Sequence, residues 1–280
     1  METLFTRHDL YIANTPVDII RDIMDEIHWD SRLIAIVGAR GVGKSTLIRQ
    51  FIRKNYQAYD RSVLYCSLDS VYFSTHTLLD LVETFIMNGG KRLFFDEVHK
   101  YSNWSREIKE IYDLYPDIKV VISGSSLLHI LNADADLSRR CIRYTMNGLS
   151  FREFLRFYKN IDIRKYSLPE IIDNPAPLCS EVNRLCKPVQ QFKEYLTYGY
   201  YPFYMESVMD YYTRIEQVTN FVIETELPLL RKVDIANIRK IKALVSIIAS
   251  SIPFEVDASK LSRLIGTGRD TVIEYMQHLE

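Results

Sequence analysis

The feature of the sequence that most restricts its fold is a short glycine-rich run between two apolar segments. Residues 38–45 read Gly-Ala-Arg-Gly-Val-Gly-Lys-Ser and match G-x-x-x-x-G-K-S/T at every fixed position. The continuous apolar run Leu33–Val37 precedes it, and apolar residues at helical spacing follow it. Only 10 of the 280 residues are glycine, and three of them fall in this run. A strand, a tight loop and a helix in this order predict a phosphate-binding loop, or P-loop.

Each part of this loop has a role in holding phosphate. Glycine lets the backbone turn tightly, so that successive N–H groups point at a β-phosphate, and the following helix adds the partial positive charge of its N-terminus. Lys44 is placed to reach the β- and γ-phosphates, and the hydroxyl of Ser45 to ligate Mg²⁺. We therefore expect ATP and Mg²⁺ as cofactors. The residues expected to bind the nucleotide are Gly38, Ala39, Arg40, Gly41, Val42, Gly43, Lys44, Ser45 and Thr46.

The first half of the chain alternates strand-like and helix-like segments. The predicted strands are Leu33–Val37, Val63–Leu68, Leu93–Phe95 and Ile118–Ile122. Amphipathic segments that predict helices lie between them. Strict alternation of this kind predicts a parallel sheet covered by helices on both faces, which is an α/β fold with three α/β/α layers.

The third predicted strand delivers two carboxylates, Asp96 and Glu97, at its C-terminal end. Asp96 is suited to support Mg²⁺ and Glu97 to polarise the attacking water, because phosphoryl transfer needs mainly metal, positioning and charge neutralisation. The alternative, that both residues only solvate the end of a strand, is disfavoured by the P-loop upstream. His99 completes an Asp-Glu-x-His string known from some helicases, but the other helicase features are missing, and we interpret it as a loop histidine.

Polar and basic groups follow the fourth predicted strand. A side chain at its end would stand beside the γ-phosphate, and Ser123 is the preferred sensor, with Ser125 as the alternative. Arg139, Arg140 and Arg143 come next. These residues could complete the charge clamp, either within the subunit or by reaching into a neighbour as an arginine finger. The alternative is a solvated basic face.

The second half of the chain changes from alternating segments to helices. Ser150 and Glu153 form a predicted capping box that opens a helix, and the chain then stays helical and rich in tyrosine to about residue 234. The remaining residues predict three helices. The last two of these are joined by Gly266-Thr267-Gly268, which is a helix-turn-helix pattern.

The charge of the chain limits its partners. Thirty-five basic residues against 36 acidic ones give a net charge of −1, which excludes a chain-wide polycationic nucleic-acid binder but not a local basic patch. Within residues 251–280, three basic residues face five acidic ones, so this pattern lacks the basic stripe usual in DNA readers. The N-terminal residues carry no apolar signal-peptide core, and no stretch approaches the roughly 18 apolar residues of a membrane helix, so we expect a soluble cytoplasmic protein.

Several segments together resemble a known family. They are Gly38–Ser45, Phe95–Val98, Ser123–Ser125, Ser138–Arg140, Leu149–Phe154 and Tyr195–Pro202. The set resembles the predicted AAA+ ATPases of bacteria and archaea, which are AAA-type P-loop proteins related to the archaeal-ATPase branch of signalling, or STAND-type, NTPases. The resemblance extends over essentially the whole chain.

The resemblance implies an AAA+ core in which the P-loop strand lies beside the sensor strand, followed by a helical lid and a winged-helix-like module. With these parts we expect an ATPase core over 1–148, a lid region over 149–234 and a helix-turn-helix module over 235–280. The resemblance also implies that Arg140 is the arginine of the family's Gly-Arg pair. The expected catalytic residues are then Glu97, Lys44, Ser123 and Arg140, and the expected metal ligands are Ser45 and Asp96.

Three positions depart from the family pattern. Arg139 stands where the glycine of the Gly-Arg pair is expected, and Gly148 stands where a proline usually precedes Leu149. Tyr200 replaces the second glycine of the family's Y-L-x-x-G-G-x-P segment. The P-loop itself carries no departure.

Two classes of function are compatible with these features. The first is an ATPase that hydrolyses ATP to ADP and phosphate with Mg²⁺, couples turnover to conformational change, and receives an arginine finger from a second copy or a partner protein. The alternative is a nucleotide-regulated DNA-binding regulator of STAND type that uses the helix-turn-helix. The acidic balance of residues 251–280 favours the first class.

Overall fold

The computed structural model describes residues 1–124, 137, 139–228, 233–251 and 257–279. The chain divides into two compact units, Met1–Tyr211 and Tyr212–Glu280. The boundary between the units falls at the start of a helix rather than at 148 or 234, and the division into core, lid and helix-turn-helix module stays a prediction. The alternative sensor Ser125 and the family residue Ser138 lie outside the described residues.

The first unit is built on a parallel five-stranded sheet of order β2-β3-β4-β1-β5. Its strands are β1 (Leu33–Val37), β2 (Val63–Ser67), β3 (Arg92–Asp96), β4 (Lys119–Gly124) and β5 (Ile142–Thr145). The P-loop strand β1 pairs with β4, the predicted sensor strand, from Leu33 with Val120 to Val37 with Gly124. This pairing confirms the strand arrangement that the resemblance implied.

Helices connect and follow the strands of this unit. Those within the sheet region are α1 (Glu2–Ala13), α2 (Lys44–Asn55), α3 (Leu78–Met87) and α4 (Trp104–Leu114). Those after the sheet are α5 (Phe151–Lys159), α6 (Leu168–Asp173), α7 (Pro175–Leu185) and α8 (Pro188–Tyr198). Short 3₁₀ turns lie at Asp22–Asp25, Val71–Ser74, Val98–Lys100 and Pro202–Met205.

Strands β1–β4 are buried on both faces of the sheet, which explains why they are mostly apolar runs. Because side chains alternate along a strand, Leu33, Ala35 and Val37 of β1 lie in one apolar cluster, with α1, α3 and α4. Ile34 and Ile36 lie in the other cluster, with α2 and the turn Asp22–Asp25. The predicted three-layer α/β/α fold is therefore confirmed.

Strand β5 was not predicted from the sequence. It pairs with β1 at the edge of the sheet, and its residues read Ile-Arg-Tyr-Thr with mostly exposed side chains. An edge strand of this kind has no apolar run, so the sequence pattern there indicated only the basic residues Arg139, Arg140 and Arg143. The helix α1, which packs on β2 and α2, was also missed.

All five strands are parallel, so their C-terminal ends lie at one edge of the sheet, called here the carboxyl edge. This edge carries the P-loop after β1, Asp96 and Glu97 at the end of β3, and Ser123 near the end of β4. Ligands of open α/β sheets bind outside the carboxyl ends of the strands. The predicted site residues on β1, β3 and β4 therefore share one edge.

The second unit is helical. It contains most of α9 (Tyr211–Phe221), a π-helical turn at Val222–Glu226, and the helices α10 (Ile238–Ser250), α11 (Ala258–Ile265) and α12 (Arg269–Leu279). Its core includes Ile223, Ile241, Leu244, Leu261 and Val272. Gly266, with φ 69°, ends α11 in the left-handed conformation and leads directly into α12. The predicted helix-turn-helix is present, with Asp257 accepting hydrogen bonds from the first N–H groups of α11.

Among the described residues, no helix is both long enough and apolar enough to span a membrane.

Candidate active site

The P-loop joins the buried end of β1 to the first turn of α2. Gly43 is the N-cap of α2 and has a φ of 99°, a backbone conformation that costs glycine little and other residues more. Because glycine has no side chain, the N–H groups of the first turn of α2 receive no side-chain cap. A helix start with such N–H groups and a partial positive charge is suited to bind an anion.

Lys44 belongs to the hydrogen bonding of the loop itself. Its side chain is buried, with the residue 5% exposed. Nζ donates to the carbonyl oxygens of Gly38 and Ala39, at 2.9 Å each. These bonds hold the ammonium group against the backbone of the loop, and its contact with phosphate stays a prediction.

Asp96 accepts hydrogen bonds from three groups at the carboxyl edge. Its Oδ1 accepts from the Ser123 hydroxyl and, at 3.1 Å, from the N–H of Glu97. Its Oδ2 accepts from the Tyr65 hydroxyl at 2.6 Å. The structure thus brings together, on the paired strands β3 and β4, the predicted metal-supporting carboxylate Asp96 and the predicted sensor Ser123. Their roles toward a nucleotide stay predictions.

Tyr65 was not singled out in the sequence. It lies on β2 and is buried, and its backbone N–H donates to Nδ1 of the buried His8 at 2.9 Å. Burial, and then the neighbouring Asp96 carboxylate, raise the pKa of Tyr65 well above its ordinary value, so the phenol stays protonated and donates. Burial lowers the pKa of His8 to about 4, so this histidine is neutral at pH 7 and accepts.

Glu97 has an unusual backbone. Its φ of 54° and ψ of 43° lie in the left-handed region, which costs a residue other than glycine roughly 1 kcal/mol. Its carboxylate Oε2 lies 3.3 Å from Nε2 of His99, whose side chain is 4% exposed. His99 lies in the 3₁₀ turn that follows, so it is a buried partner of Glu97 rather than a solvated loop residue. Backbone strain of this kind clusters at functional sites.

Arg140 lies away from the P-loop of its own chain. Its Nε and Nη2 donate to the carboxylate of Asp113 at 2.9 and 3.0 Å. Asp113 stands at the end of α4, and Arg140 precedes the first residue of β5, so both lie toward the amino ends of the parallel strands. This placement does not support a role within the same subunit. A role toward a neighbouring subunit stays a prediction.

A residue that sequence reasoning missed, Arg21, links the P-loop to α5. Its Nη1 donates to the Val42 carbonyl at 2.9 Å, its Nε to Glu153 Oε1 at 2.8 Å, and its Nη2 to the carbonyls of Asn147 and Gly148 at 2.9 Å. Both charged side chains are nearly buried, at 10% and 5% exposure. Burial alone would raise the pKa of Glu153, but the hydrogen bonds and charge of Arg21 outweigh it and hold that pKa below its ordinary value.

The predicted capping box of α5 is confirmed, and it is part of the same network. The Ser150 hydroxyl accepts from the N–H of Glu153, and the Glu153 carboxylate accepts from the N–H of Ser150. Glu153 therefore caps α5 and receives Arg21 at the same time. The sequence signal S-x-x-E identified the cap, but nothing in it pointed to Arg21.

Residues 200–203, called here the cover segment, lie directly on the P-loop. A Cβ added to Gly41 would be 3.1 Å from the Phe203 ring and 3.6 Å from the Tyr201 ring. The rings of Tyr201 and Phe203 are stacked, with centroids 4.9 Å apart. The segment is anchored to α5, since the Tyr158 hydroxyl donates to the Tyr201 carbonyl at 3.3 Å and the Pro202 carbonyl at 3.2 Å.

Two of the departures from the family pattern meet in the structure. A Cβ added to Gly148 would lie 2.6 Å from the Tyr200 ring, closer than side chains approach. The Tyr200 carbonyl also accepts from the N–H of the next residue, Leu149, at 2.7 Å. Gly148, in place of the usual proline, therefore makes room for Tyr200, in place of the usual glycine.

The donor set of the carboxyl edge fits Mg²⁺. A serine hydroxyl at Ser45 and the carboxylate of Asp96 are hard oxygen donors, which Mg²⁺ prefers. Within the described ranges, no group of three or more His, Cys, Asp or Glu side chains is arranged to hold a metal ion. Two protein oxygens suit a cation that takes its other ligands from water and substrate phosphates.

A family model described as an AAA domain matches residues 30–155, the stretch that contains the P-loop, Asp96, Ser123 and the capping box. This stretch of the chain is therefore similar to AAA domains. The matched residues start just before β1 and end within α5. The helices α6–α12 lie beyond the matched residues.

Two curated proteins of Methanocaldococcus jannaschii are similar to most of this chain. The uncharacterized protein MJ1637 is 26% identical over 279 residues, which cover 94% of this chain and 58% of that protein. The uncharacterized protein MJ1544 is 24% identical over 289 residues, which cover 96% of this chain and 59% of that protein. The chain thus spans somewhat less than two thirds of the length of each relative.

Two solved structures are less similar in sequence. The structure of C. elegans PCH-2 has a TM-score of 0.33 and 12% identity, covering 61% of this chain and 48% of that one. The AMPPCP-bound DnaA from Aquifex aeolicus has a TM-score of 0.34 and 16% identity, covering 92% of this chain and 84% of that one. At these scores neither structure adds to the similarity of residues 30–155 to AAA domains.

Proposed function

We propose that the chain binds ATP with Mg²⁺ at the carboxyl edge and hydrolyses it to ADP and phosphate. One observation carries the proposal. The P-loop after β1 opens on the same edge as a buried carboxylate, Asp96, whose orientation is fixed by hydrogen bonds from three elements, with a strained Glu97 next to it. A cation-supporting carboxylate and a neighbouring base, placed beside a phosphate-binding loop, are what NTP hydrolysis requires of a protein.

In this proposal each residue has a limited task. The N–H groups at the start of α2 and the Lys44 ammonium bind the phosphates, and Ser45 and Asp96 hold the Mg²⁺. When bound, Mg²⁺ neutralises charge on the phosphate oxygens. Glu97 orients and polarises the attacking water, and its contact with His99 holds the carboxylate near the end of β3. Ser123 is the sensor of the γ-phosphate.

Turnover is coupled to conformation through two contacts of the P-loop. Arg21 connects the Val42 carbonyl to Glu153 of α5, and the cover segment rests on Gly41 while being bonded to α5. A change in the loop on nucleotide binding or release is therefore transmitted to α5. This coupling supports the proposed role of α5 in a lid.

Isothermal titration calorimetry with Mg·ATP tests the binding step. The wild type should bind, and Lys44→Ala should lower the affinity by about 100-fold or more, because it removes the charge that faces the phosphates. Lys54→Ala, an exposed lysine at the other end of the same helix, is the matched control and should bind like the wild type. A wild type that binds no nucleotide, or a Lys44→Ala variant with unchanged affinity, would overturn the proposal.

Arg140 is proposed to act in trans. The pair with Asp113 is partly exposed, with the arginine side chain 30% accessible, so a neighbouring subunit or partner could exchange Asp113 for a γ-phosphate. Specific activity should then rise with protein concentration. Mixing inactive Arg140→Ala with inactive Glu97→Gln should restore part of the rate, because mixed interfaces contain an intact site. A rate independent of concentration, together with no recovery from variants shown to co-assemble, would exclude this role.

A nucleotide-regulated DNA-binding function is the second candidate, favoured by the observed helix-turn-helix α11–α12. The charges of this helix-turn-helix disfavour DNA binding, because α12 begins Arg269-Asp270 and carries the acidic Glu274. Measuring ATP hydrolysis with and without duplex DNA separates the two candidates. Stimulation of ATP hydrolysis by DNA that falls steeply with salt would support DNA binding. If DNA has no effect on hydrolysis, only the ATPase function is supported.

A further inference from the structure

The strand β2 contributes the polar side chain of Tyr65 to the carboxyl edge, although no nucleotide-binding motif lies on this strand. Tyr65 pairs in register with Phe94, and its side chain lies on the same face of the sheet as that of Asp96. Its hydroxyl donates to Asp96 Oδ2 at 2.6 Å, and the two residues are each 3% exposed. A hydrogen bond between a buried phenol and a buried carboxylate is a strong, directional constraint.

The hydrogen bonds of Asp96 show what this constraint does. A carboxylate has about four acceptor positions. In this structure Tyr65 takes one on Oδ2, while the Ser123 hydroxyl and the Glu97 N–H take two on Oδ1. The three donors come from β2, β4 and the residue after β3, so the plane of the carboxylate is held from three directions.

We propose that Tyr65 is a positioning residue for the divalent cation that binds with the nucleotide. Its hydroxyl orients Asp96 so that the remaining acceptor position of Oδ2 is presented to the cation. The inference rests on the proposed function, because it concerns the cation of the same site. Without this donor, Oδ2 would be a buried carboxylate oxygen with one hydrogen bond fewer. The carboxylate group would then rotate toward another donor.

The ring of Tyr65 has a separate, structural role. It lies in the apolar cluster beneath α2, and it makes an edge-to-face contact with Tyr11, with centroids 5.7 Å apart. Tyr65→Phe keeps this packing and removes only the hydroxyl. The variant therefore tests the hydrogen bond and not the core.

Another tyrosine of the same unit supplies a matched control. The Tyr101 hydroxyl donates to Oε1 of Glu107 at 2.7 Å, and Glu107 is a buried carboxylate that caps α3 through the N–H of Leu78 at 2.8 Å. Tyr101→Phe removes the same kind of bond from a carboxylate that lies on α4 and caps α3, rather than from one at the end of a strand. Any general effect of losing a phenol–carboxylate bond appears in both variants.

The experiment measures the concentration of divalent cation that half-saturates the site. A fluorescent non-hydrolysable ATP analogue is titrated into each protein at increasing Mg²⁺, and binding of Mn²⁺ to the same complex is followed by electron paramagnetic resonance. Tyr65→Phe should raise the half-saturating concentration of both cations by about tenfold, as expected when an outer partner of a ligand is removed. Its affinity for the analogue in excess EDTA should match the wild type within about twofold, and Tyr101→Phe should match the wild type throughout.

A double variant shows whether Tyr65 acts through Asp96. Asp96→Asn should weaken cation binding by itself, and adding Tyr65→Phe to it should cause no further change. Full additivity, a shift in Tyr101→Phe equal to that in Tyr65→Phe, or a Tyr65→Phe variant that only melts earlier with an unchanged cation requirement would each overturn the positioning role. A wild type that fails to bind the analogue overturns the proposed function instead.

Discussion

The carboxyl edge of the sheet and the helices α6–α8 differ in how fully their side chains are enclosed. At the edge even the charged Asp96 is 3% exposed and accepts hydrogen bonds from three groups. Along α6, α7 and α8 no side chain is buried. Leu168, Val189 and Leu196 are 69%, 73% and 68% exposed.

The two regions are therefore stabilised by different kinds of interaction. The helices α6–α8 depend on local interactions, such as the capping box of Ser167 and Glu170 that begins α6. The carboxyl edge is held by several distant elements at once, since Tyr65, Ser123 and Arg21 reach it from separate parts of the chain. The residues proposed for catalysis thus lie where side-chain positions are most tightly constrained. In α6–α8 we expect local unfolding at a low free-energy cost.

The largest predicted effect is the difference in stability loss when the same substitution, Leu→Ala, is made separately in each region. Leu81→Ala in α3 removes a side chain that is 1% exposed and should lower the free energy of unfolding by about 3–4 kcal/mol. Leu196→Ala in α8 should change it by less than about 0.5 kcal/mol, because the side chain is mostly in water. Urea denaturation of both variants measures the difference. Equal losses would show that α8 is packed as tightly as α3.

Removing Arg21, which links the P-loop to α5, should lower the free energy of unfolding almost as much as Leu81→Ala. Arg21→Ala leaves the Glu153 carboxylate buried without its partner, which should lower the free energy of unfolding by about 3 kcal/mol at pH 7. Arg164→Ala, which removes an exposed pair with Glu170, is the control and should have little effect. Chemical denaturation of both proteins provides the comparison.

The effect of Arg21→Ala should depend on pH in a defined direction. In the wild type the pKa of Glu153 lies below the ordinary value of 4.5, so its ionised form contributes stability above about pH 4.5 that is lost as the pH falls. In the variant the effect of burial, which raises that pKa, is opposed only by the backbone N–H groups of Ser150 and Asp22, so the pKa is higher than in the wild type and the variant becomes relatively more stable as the pH falls. The gap between the two proteins should narrow from pH 7 toward pH 4. A constant gap would contradict the proposed role of Glu153.

At the carboxyl edge, Glu97→Gln should separate binding from turnover. Steady-state hydrolysis should slow by about 10²-fold or more, whereas the affinity for Mg·ATP should stay within a few-fold, because only base assistance is removed. Glu110→Gln on the exposed face of α4 is the control. A rate within a factor of two of the wild type would mean that Glu97 does not activate water or that chemistry is not the slow step, and single-turnover kinetics separates these outcomes.

The smallest predicted effect tests the fit between Gly148 and Tyr200. Gly148→Ala should lower the free energy of unfolding by about 1–2 kcal/mol, because the new Cβ would overlap the tyrosine ring. Adding Tyr200→Ala should restore part of this loss. Gly268→Ala, where a Cβ meets only Thr271 Oγ1 at 3.6 Å, is the control. Strictly additive losses in the double variant would mean that the two positions do not interact.

Much of the carboxyl edge could be predicted because its signals are local. A run of five apolar residues followed by G-x-x-x-x-G-K-S predicts β1, the loop and α2 without any knowledge of the rest of the chain. The same holds for the carboxylates at the end of β3 and for the capping box of α5. Each is a short pattern whose geometry follows from strand and helix periods and from helix capping.

Other features depend on contacts that no short pattern encodes. The edge strand β5 forms because β1 offers it hydrogen bonds, although its own residues are polar and exposed. Arg140 belongs to a basic cluster in the sequence, but α4 supplies Asp113 as its partner. Both outcomes follow from the order of the strands and the path of α4, which are properties of the whole unit.

The sequence alone therefore determined the three-layer fold, the phosphate-binding loop and the identity of the carboxylates, since each follows from residues that are neighbours in the chain. The tertiary structure alone decided that Tyr65 and Ser123 hold the two oxygens of Asp96, that Arg21 joins the Val42 carbonyl to Glu153, and that the cover segment lies on Gly41. The physical reason is the separation of these groups along the chain. A buried polar group takes whichever partner the packing of the sheet and helices brings within hydrogen-bond distance, and only the folded chain specifies which one that is.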